Sequence, residues 1–262
     1  MGVAGAALGT LISRIFECAM ICGYFFLRDK KIKFRVRNIL DPCGDLLPEF
    51  IRISIPVMIS DTLLGLGNSM TSAVGGRVGK AFMSANSITG VTQQISSVFT
   101  SGMGQAAVII TGNTLGEGEI EKAQKQGVSF AILGYALGAV CGLIIFAASP
   151  MLVGSYNLTE ETYETAIQMM HAMALLMIFI TPASILTKGV LRGGGDTRFL
   201  MIADIMFLWV VSVPLGYLAG VVWKWSAFWV FNCLRIDHVL KATWCLFRLH
   251  SRKWIKKIKS VK

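Results

Sequence analysis

The sequence predicts an all-α integral membrane protein, a polytopic bundle of about seven transmembrane helices. Of its 262 residues, 54% are hydrophobic and 15% are charged, and the mean hydropathy is +0.62. An ordinary soluble domain carries about 25% charged residues. Residues 81–116 and 126–159 contain no Asp, Glu, Lys or Arg, and each stretch exceeds the ~20 residues needed to cross a bilayer. These segments are therefore expected to lie in lipid.

Seven apolar segments alternate with clusters of polar residues and turn formers. Because lipid offers no hydrogen-bond partners, each segment is expected to be helical, and the short connections make neighbouring helices antiparallel. The predicted spans are approximately residues 3–27, 50–75, 84–112, 127–149, 167–190, 199–222 and 225–247. The predicted connections are residues 41–45, 75–80, 116–119, 149–150, 193–196 and 220–225.

The net charge of +10 comes mostly from two basic blocks, residues 28–37 and 248–262. In a soluble protein such blocks would suggest a nucleic-acid partner. Next to apolar spans they are typical of cytoplasmic flanks, since cytoplasmic connections carry the excess of Lys and Arg. The pattern predicts a multi-pass plasma-membrane protein with a cytoplasmic C-terminus and no nucleic-acid partner, and seven spans then place Met1 outside.

Enzyme chemistry is not expected. The six cysteines are scattered through apolar segments without a Cys-x-x-Cys pair or a nearby His at zinc-ligand spacing, which is typical of packing residues. The sequence shows no hydrolytic triad, metal cage or nucleotide-binding motif. We predict no enzyme, no catalytic residue, no metal site and no cofactor.

The most specific motif is the segment from Gly189 to Phe199, which contains three consecutive glycines. Glycine permits backbone conformations closed to other residues, so the chain can reverse tightly between two helices. A phosphate-binding loop is the rival interpretation, and it is disfavoured because no Gly-Lys-Ser/Thr follows and no strand precedes. The predicted cytoplasmic loop motif consists of Arg192, Gly193, Gly194, Gly195 and Asp196.

This motif resembles the multidrug and toxic compound extrusion (MATE) family. The small-residue opening 2–14 is similar to a helix of that family, Gly112–Gly118 resembles the loop after its eighth helix, and Pro214–Tyr217 matches its eleventh helix. The tail Lys253–Lys256 looks like its usual ending. The resemblance implies a two-lobed fold of twelve helices, of which this chain corresponds to the sixth helix plus the C-terminal lobe.

Four regions follow from that resemblance. Residues 1–27 correspond to the last helix of the N-terminal lobe, and residues 28–49 form a basic cytoplasmic linker or an interfacial segment on anionic lipid. Residues 50–247 correspond to a six-helix C-terminal lobe, and residues 248–262 to a basic cytoplasmic tail. The N-terminal lobe that the family carries is an expected missing partner.

Acids within the predicted spans are the next signal, because a charge at mid-bilayer is costly and usually faces protein or water. Asp61 follows Pro56 in its span and is a candidate for binding a coupling cation. Asp204 could bind the same ion or could instead pair with Arg198. Arg14 and Glu17 lie three residues apart, and the spacing favours a mutual ion pair.

Polar residues elsewhere could complete a cation or substrate site. Asp237 and His238 make the last span unusually polar, and His238 would bring a titration nearer neutrality. Asn68 and Gln93 carry side-chain oxygens that could ligate a cation, although hydrogen bonding between helices is the more frequent use of such residues.

Two sets of residues predict packing. Gly134, Gly138 and Gly142 repeat every four residues and mark a close-packed helix face. Methionines in one span could line a flexible cavity, although ordinary packing is favoured for them. They are Met169, Met170, Met173 and Met177.

By resemblance, the expected function is secondary active multidrug efflux, the antiport of small organic compounds, often cationic drugs, against Na⁺ or H⁺. An alternative is a truncated half-transporter that does not transport alone. A lipid-linked saccharide flippase of the same superfamily is a further alternative. The basic cavity residues that such anionic cargo needs are not evident from the sequence.

Overall fold

The computed structural model describes residues 2–28 and 47–255. The predicted connection at residues 41–45, most of the predicted linker and residues 256–262 of the tail lie outside the described residues. The chain divides into two compact units, Met1–Glu49 and Phe50–Lys262.

In the first unit, helix α1 spans Gly2–Arg28. Its exposed Arg14 Nη1 lies 2.7 Å from Glu17 Oε2, which confirms the expected ion pair.

The second unit is built from helices throughout its described part, with no β-strand in residues 47–255. The fold class predicted from the sequence is confirmed. The α-helices are α2 (Leu47–Val78), α3 (Lys80–Gly116), α4 (Ile120–Gly154), α5 (Glu160–Ile185), α6 (Thr197–Ile205), α7 (Val213–Tyr217), α8 (Ala227–Leu234) and α9 (Ile236–His250).

Three π-helical segments interrupt the second half of this unit. Prolines precede or flank them: Pro182 lies one turn before the first, and Pro214 follows the second. Proline has no backbone N–H and its ring clashes with the preceding turn, so Pro214 accounts for the widening of the segment just before it. Such π segments are often found at functional sites. They are Leu186–Leu191, Met206–Ser212 and Leu218–Val222.

Five helical stretches among the described residues are long and apolar enough to cross a membrane. They correspond to five of the seven predicted spans. These stretches are Ala7–Phe25, Lys80–Gly116, Ile120–Gly154, Glu160–Leu191 and Thr197–Val222.

The remaining two predicted spans are more polar. Residues 50–75 lie within the continuous helix α2, which contains Asp61 and Pro56. Residues 225–247 were expected to form one helix, and this is wrong: the chain breaks at Arg235 (φ −120°, ψ 10°) into α8 and α9. The break frees backbone carbonyls, and the Ser212 hydroxyl donates to the Leu234 carbonyl at 2.6 Å. A polar side chain from another element thus stabilises the interruption.

The predicted connection at residues 149–150 is also wrong. Helix α4 continues through Pro150 to Gly154, and the turn lies at residues 155–159. Pro150 is accommodated in the last turns of the helix, where Ser149 Oγ donates to the Phe146 carbonyl at 2.9 Å. The dipeptide Ser149-Pro150 favours a turn, but the strongly apolar residues around it keep this segment helical.

Helix α5 with the π segment after it is the most buried of the described spans. In its most apolar 18-residue stretch, 72% of the residues are buried inside the protein. Its first half forms the centre of one hydrophobic cluster with α4 and α8, and its end joins a second cluster with α3 and α9. The four methionines predicted to pack are all buried at 0–1% exposure. Met177 additionally lines a cavity described below.

The α4–α5 interface confirms the predicted close-packed glycine face. A Cβ atom on Gly138 would lie 2.6 Å from the Met177 carbonyl oxygen, and one on Gly142 would lie 2.5 Å from that of Ala174. A Cβ on Gly134 would lie 3.0 Å from Pro182 Cα. Small residues of this kind let two backbones approach closely within a membrane, where van der Waals packing drives association.

We predict that Gly138→Ala destabilises the protein although alanine has the higher helix propensity. The added methyl group would collide with backbone atoms of α5, at a cost of about 1–3 kcal/mol. The thermal unfolding midpoint of the detergent-solubilised protein should fall. Gly90→Ala in α3 is the matched control, because its Cβ would meet no atom within 4 Å. An unchanged midpoint in Gly138→Ala alone would contradict this packing.

Candidate functional site

A cavity of about 300 Å³ lies in the second unit, among α2, α3, α5, α6 and the α8–α9 region. Its wall contains side chains from distant parts of the sequence, brought together by the π segments and by the break at Arg235. All six residues predicted to bind a coupling cation or substrate line it. They are Asp61, Asn68, Gln93, Asp204, Asp237 and His238. Cation binding by these residues stays a prediction.

The centre of the cavity wall is a buried ion cluster on three residues. The Lys241 ammonium lies 3.0 Å from Asp204 Oδ1 and 3.2 Å from Asp237 Oδ2. The side chains of Asp237 and Lys241 are 3% and 9% exposed, and that of Asp204 is 13% exposed. One ammonium therefore pairs with two buried carboxylates, and the cluster keeps one net negative charge.

Asp204 has a different partner from the one considered on sequence grounds. Its Oδ2 accepts a hydrogen bond from Ser60 Oγ at 2.7 Å, and its Oδ1 faces Lys241. No salt bridge to Arg198 is present in the described part of the chain. The expected alternative pairing with Arg198 is therefore wrong, because Asp204 pairs with Lys241 on α9 and not with the arginine six residues earlier on its own helix.

Asp237 is held by neighbours on three sides. Its Oδ1 lies 3.0 Å from His238 Nδ1 and 3.4 Å from the donating Ser212 hydroxyl, and its Oδ2 faces Lys241. Asp237 also stands in the first turn of α9, where the helix dipole favours an anion. These contacts compensate the burial of the carboxylate.

Asp61 is the most exposed of the three acids that line the cavity. Its side chain is 57% exposed, and its Oδ1 is 3.6 Å from Arg192 Nη2. This contact links α2 to the end of the π segment that follows α5. Since the distance exceeds that of a direct hydrogen bond, Asp61 remains accessible to an ion or a substrate.

The uncharged candidates occupy the α2 and α3 walls. Asn68 and Gln93 line the cavity together with Thr71. The Thr71 hydroxyl donates to the Gly67 carbonyl of its own helix at 3.0 Å. Trp209 fixes α2 from the other side, because its indole N–H donates to the Leu63 carbonyl at 3.1 Å.

The cavity also contains cations that were not assigned to it on sequence grounds. Four basic side chains line it: Lys188, Arg192, Arg235 and Lys241. The expectation that basic cavity residues are not evident is therefore wrong. Arg192 was assigned to the predicted cytoplasmic loop motif, and Lys188 lies four residues before it. The polarity of the last span was the signal that could have indicated Arg235 and Lys241.

Within residues 2–28 and 47–255, no cluster of three or more His, Cys, Asp or Glu side chains has a geometry that could hold a metal ion.

We predict that Lys241→Met destabilises the protein more than Asp204→Asn does. Removing the ammonium leaves two buried carboxylates without their counter-ion, and breaking a buried pair in this way costs about 3–5 kcal/mol. After Asp204→Asn, Lys241 still pairs with Asp237. Thermal midpoints of the two purified variants test the difference, and Lys241→Met combined with Asp204→Asn and Asp237→Asn should recover much of the loss. Equal midpoints for the single variants would contradict the shared role of Lys241.

The predicted cytoplasmic loop motif forms a tight turn between the first π segment and α6. Gly195 adopts a φ of +79°, which L side chains rarely adopt, so this position requires glycine. A Cβ on Gly193 would lie 2.7 Å from Thr111 Oγ1 of α3. Asp196 is completely buried, and its Oδ2 accepts a hydrogen bond from Arg248 Nε at 2.7 Å. The turn is thus packed against α3 and α9.

The residues after α9 close over this turn. Trp254 is fully buried against Gly194, and its indole N–H donates to Gln124 Oε1 at 2.8 Å. The amide of Gln124 donates in turn to the Leu249 carbonyl at 2.8 Å. The start of α4, the glycine turn and the end of the described chain therefore form one assembly.

We predict that Gly194→Ala displaces Trp254 and destabilises this assembly by about 1–3 kcal/mol, because the new methyl group would overlap the indole ring. Exposure of Trp254 to solvent would be detected as a red shift of tryptophan emission, together with a lower thermal midpoint. Gly116→Ala is the matched control, since its Cβ would meet no atom within 4 Å. Emission unchanged in Gly194→Ala would refute the contact.

A bundle of apolar helices that encloses a charged, polar cavity is the architecture of a polytopic membrane protein. The family model described as MatE matches residues 56–218, which is more than half of the chain and includes most of the cavity wall. The chain belongs to the MatE family.

Individual relatives agree with this assignment. The chain is 28% identical over 240 residues to a protein named probable multidrug resistance protein NorM from Agrobacterium fabrum, covering 85% of this chain and 51% of the relative. It is 28% identical over 218 residues to multidrug and toxin extrusion protein 1 of Oryctolagus cuniculus, covering 82% and 38% respectively.

A solved structure shows the same fold. It is described as the outward-facing conformation of a multidrug resistance MATE family transporter of the MOP superfamily. The TM-score is 0.81 at 18% sequence identity, covering 97% of this chain and 57% of that one. The chain spans about half the length of the curated relatives it matches.

Proposed function

We propose that this chain takes part in secondary active efflux of small organic compounds across the plasma membrane, driven by antiport of a cation. The observation that carries the proposal is the buried cluster of Asp204, Lys241 and Asp237 in the cavity wall. Ionisable groups inside a membrane bundle are costly and typically mark ion or substrate pathways. Membership of a family of transporters supports the same function.

The coupling ion, Na⁺ or H⁺, would act by competing with Lys241. A cation or proton on Asp204 or Asp237 weakens the attraction of that carboxylate for the ammonium, so Lys241 shifts to the remaining acid. That shift would change the packing of α9 against α6 and α2, because Asp204 is also bound by Ser60. An ion changes a conformational equilibrium only by its differential affinity for the two states, and a cluster with one ammonium for two acids supplies such a difference.

Asp61 would serve as the accessible acid of the site. Its exposed carboxylate and its loose contact with Arg192 leave it available to an entering ion. Asn68 and Gln93 could add neutral oxygen ligands from the opposite helices. No resident cofactor is required for this mechanism.

A second candidate is a membrane subunit that transports only together with a further six-helix lobe. The coverage of about half of its relatives supports it. In both cases the basic residues near the end of α9 favour a cytoplasmic C-terminus by the positive-inside rule.

We predict that Asp204→Asn abolishes ion-driven efflux and that Asp61→Asn lowers it at least about tenfold, the loss expected for one charge-assisted contact. Efflux of a panel of organic dyes is measured in everted vesicles under separate Na⁺ and H⁺ gradients. The vesicles come from cells that express the chain and lack other multidrug pumps. Glu164→Gln is the matched control, because Glu164 is an exposed acid outside the cavity.

Gradient-driven efflux by the chain alone would support autonomous transport. Efflux only after co-expression of a matching N-terminal lobe would support the second candidate. Absence of ion-driven efflux in both settings would overturn the proposed function, and full activity in Asp204→Asn would remove the ion cluster from the mechanism.

A further inference from the structure

The fixed charges on the cavity wall do not cancel. Its acids are Asp61, Asp204 and Asp237, whereas four Lys and Arg side chains line the same cavity. Two of the acids already share the ammonium of Lys241. These three side chains carry one net negative charge. The other charged side chains of the wall are one acid and three basic residues, so the wall as a whole carries one net positive charge.

Arg235 has no salt bridge to any residue in the described part of the chain. It stands at the break between α8 and α9, is half-buried, and lies with its guanidinium 5.9 Å from the centre of the Phe231 ring. The nearest acid along the chain, Asp237, is already bound to Lys241 and approached by Ser212 and His238. The guanidinium thus presents hydrogen-bond donors to the cavity without an internal acceptor.

Two further cations lie one helical turn apart on the π segment and its end. Lys188 is exposed and forms no ion pair within residues 47–255. Arg192 contacts Asp61 only at 3.6 Å, and its buried Nε lacks a hydrogen-bond partner among the described residues. Arg192 is therefore only loosely compensated by Asp61, and Lys188 adds a second positive charge to the same cavity wall.

Apolar side chains complete the wall. Met177, Ile180, Leu208 and Leu234 also line the cavity. A ligand complementary to this cavity would have an apolar body that contacts these side chains. It would also carry a negative charge, opposite to the charge of Lys188 and Arg235. Guanidinium groups bind carboxylate and phosphate in a bidentate manner.

We propose that this cavity selects organic anions, compounds with an apolar body and a carboxylate or phosphate group, with Arg235 and Lys188 as the anion-binding side chains. The inference rests on the proposed function, since it names the substrate class of the same cavity. It departs from the expected preference for organic cations. A cationic ligand would meet two basic side chains that form no salt bridge among the described residues, while two of the three acids already share an ammonium.

The test is isothermal titration calorimetry on the purified full chain in detergent. The probes are 2-naphthoate and 2-naphthylmethylammonium, which share one apolar ring system and carry opposite charges. The anion is expected to bind at least about tenfold more tightly, as one charge-assisted hydrogen bond predicts. Tighter binding of the ammonium probe, or no binding of the anion, would overturn the proposal.

Variants locate the anion site. Lys188→Gln and Arg235→Gln should each weaken 2-naphthoate binding at least about tenfold, and Arg235→Lys should restore part of the loss because it keeps the charge. Lys125→Gln is the matched control, as Lys125 is exposed on α4 and does not line the cavity. If Arg235→Gln does not fold, Lys188→Gln on an exposed position carries the test. Unchanged affinity in Lys188→Gln would contradict its role.

The source of the anion is distinguished by competition. Displacement of 2-naphthoate by geranyl pyrophosphate, but not by inorganic pyrophosphate, would support a lipid-linked anion. Displacement by soluble aromatic carboxylates alone would support a soluble substrate. Because binding is measured without an ion gradient, loss of anion selectivity and loss of ion-driven efflux are separate results. Failure of this proposal is thereby distinguishable from failure of the proposed function.

Discussion

The second unit depends on one constraint, that a carboxylate enclosed by apolar helices must find a partner inside the protein. Lys241 on α9 meets this constraint for Asp204 on α6 and Asp237 on α9 at once. The hydroxyl groups of Ser60 and Ser212 supply the remaining contacts of the two carboxylates. The cluster therefore joins α2, α6 and α9 through polar contacts at a place where the hydrophobic effect does not hold helices together. A cluster with fewer cations than acids is also able to respond to an added ion.

Packing and polarity have separate places in this structure. Helix α4 lies against α5 through Gly134, Gly138 and Gly142, so that the central helix is enclosed by backbone and small side chains. The cavity lies on another side of α5, where the π segment turns Thr187 and Lys188 toward it. At one end the glycine turn is covered by Trp254. Rigid contacts thus surround a polar region whose ion pairs can exchange partners.

Much of the candidate site could be predicted from the sequence. Acids and amides within apolar spans are conspicuous, and the six residues selected in this way line one cavity. The basic side chains of that cavity were harder to assign. Lys and Arg beside a connection have the same sequence signature whether they face the cytoplasm or a polar cavity, so Lys188 and Arg192 could not be distinguished from flanking charges. The ion-binding role of the acids remains a prediction.

The amino-acid sequence by itself determined that the protein lies in a membrane and that its apolar segments are helices. Long segments without charges must be helical in lipid, because their backbone groups have no other hydrogen-bond partners. Only the tertiary structure decided which charges pair, that α8 and α9 are separate helices, and that Arg235 remains without an ion pair in the described chain. The physical reason is that helices apolar on all sides carry little information about which face meets which neighbour. The partner of Asp204 therefore depends on helix rotation and register, and these pair it with Lys241 and not with Arg198.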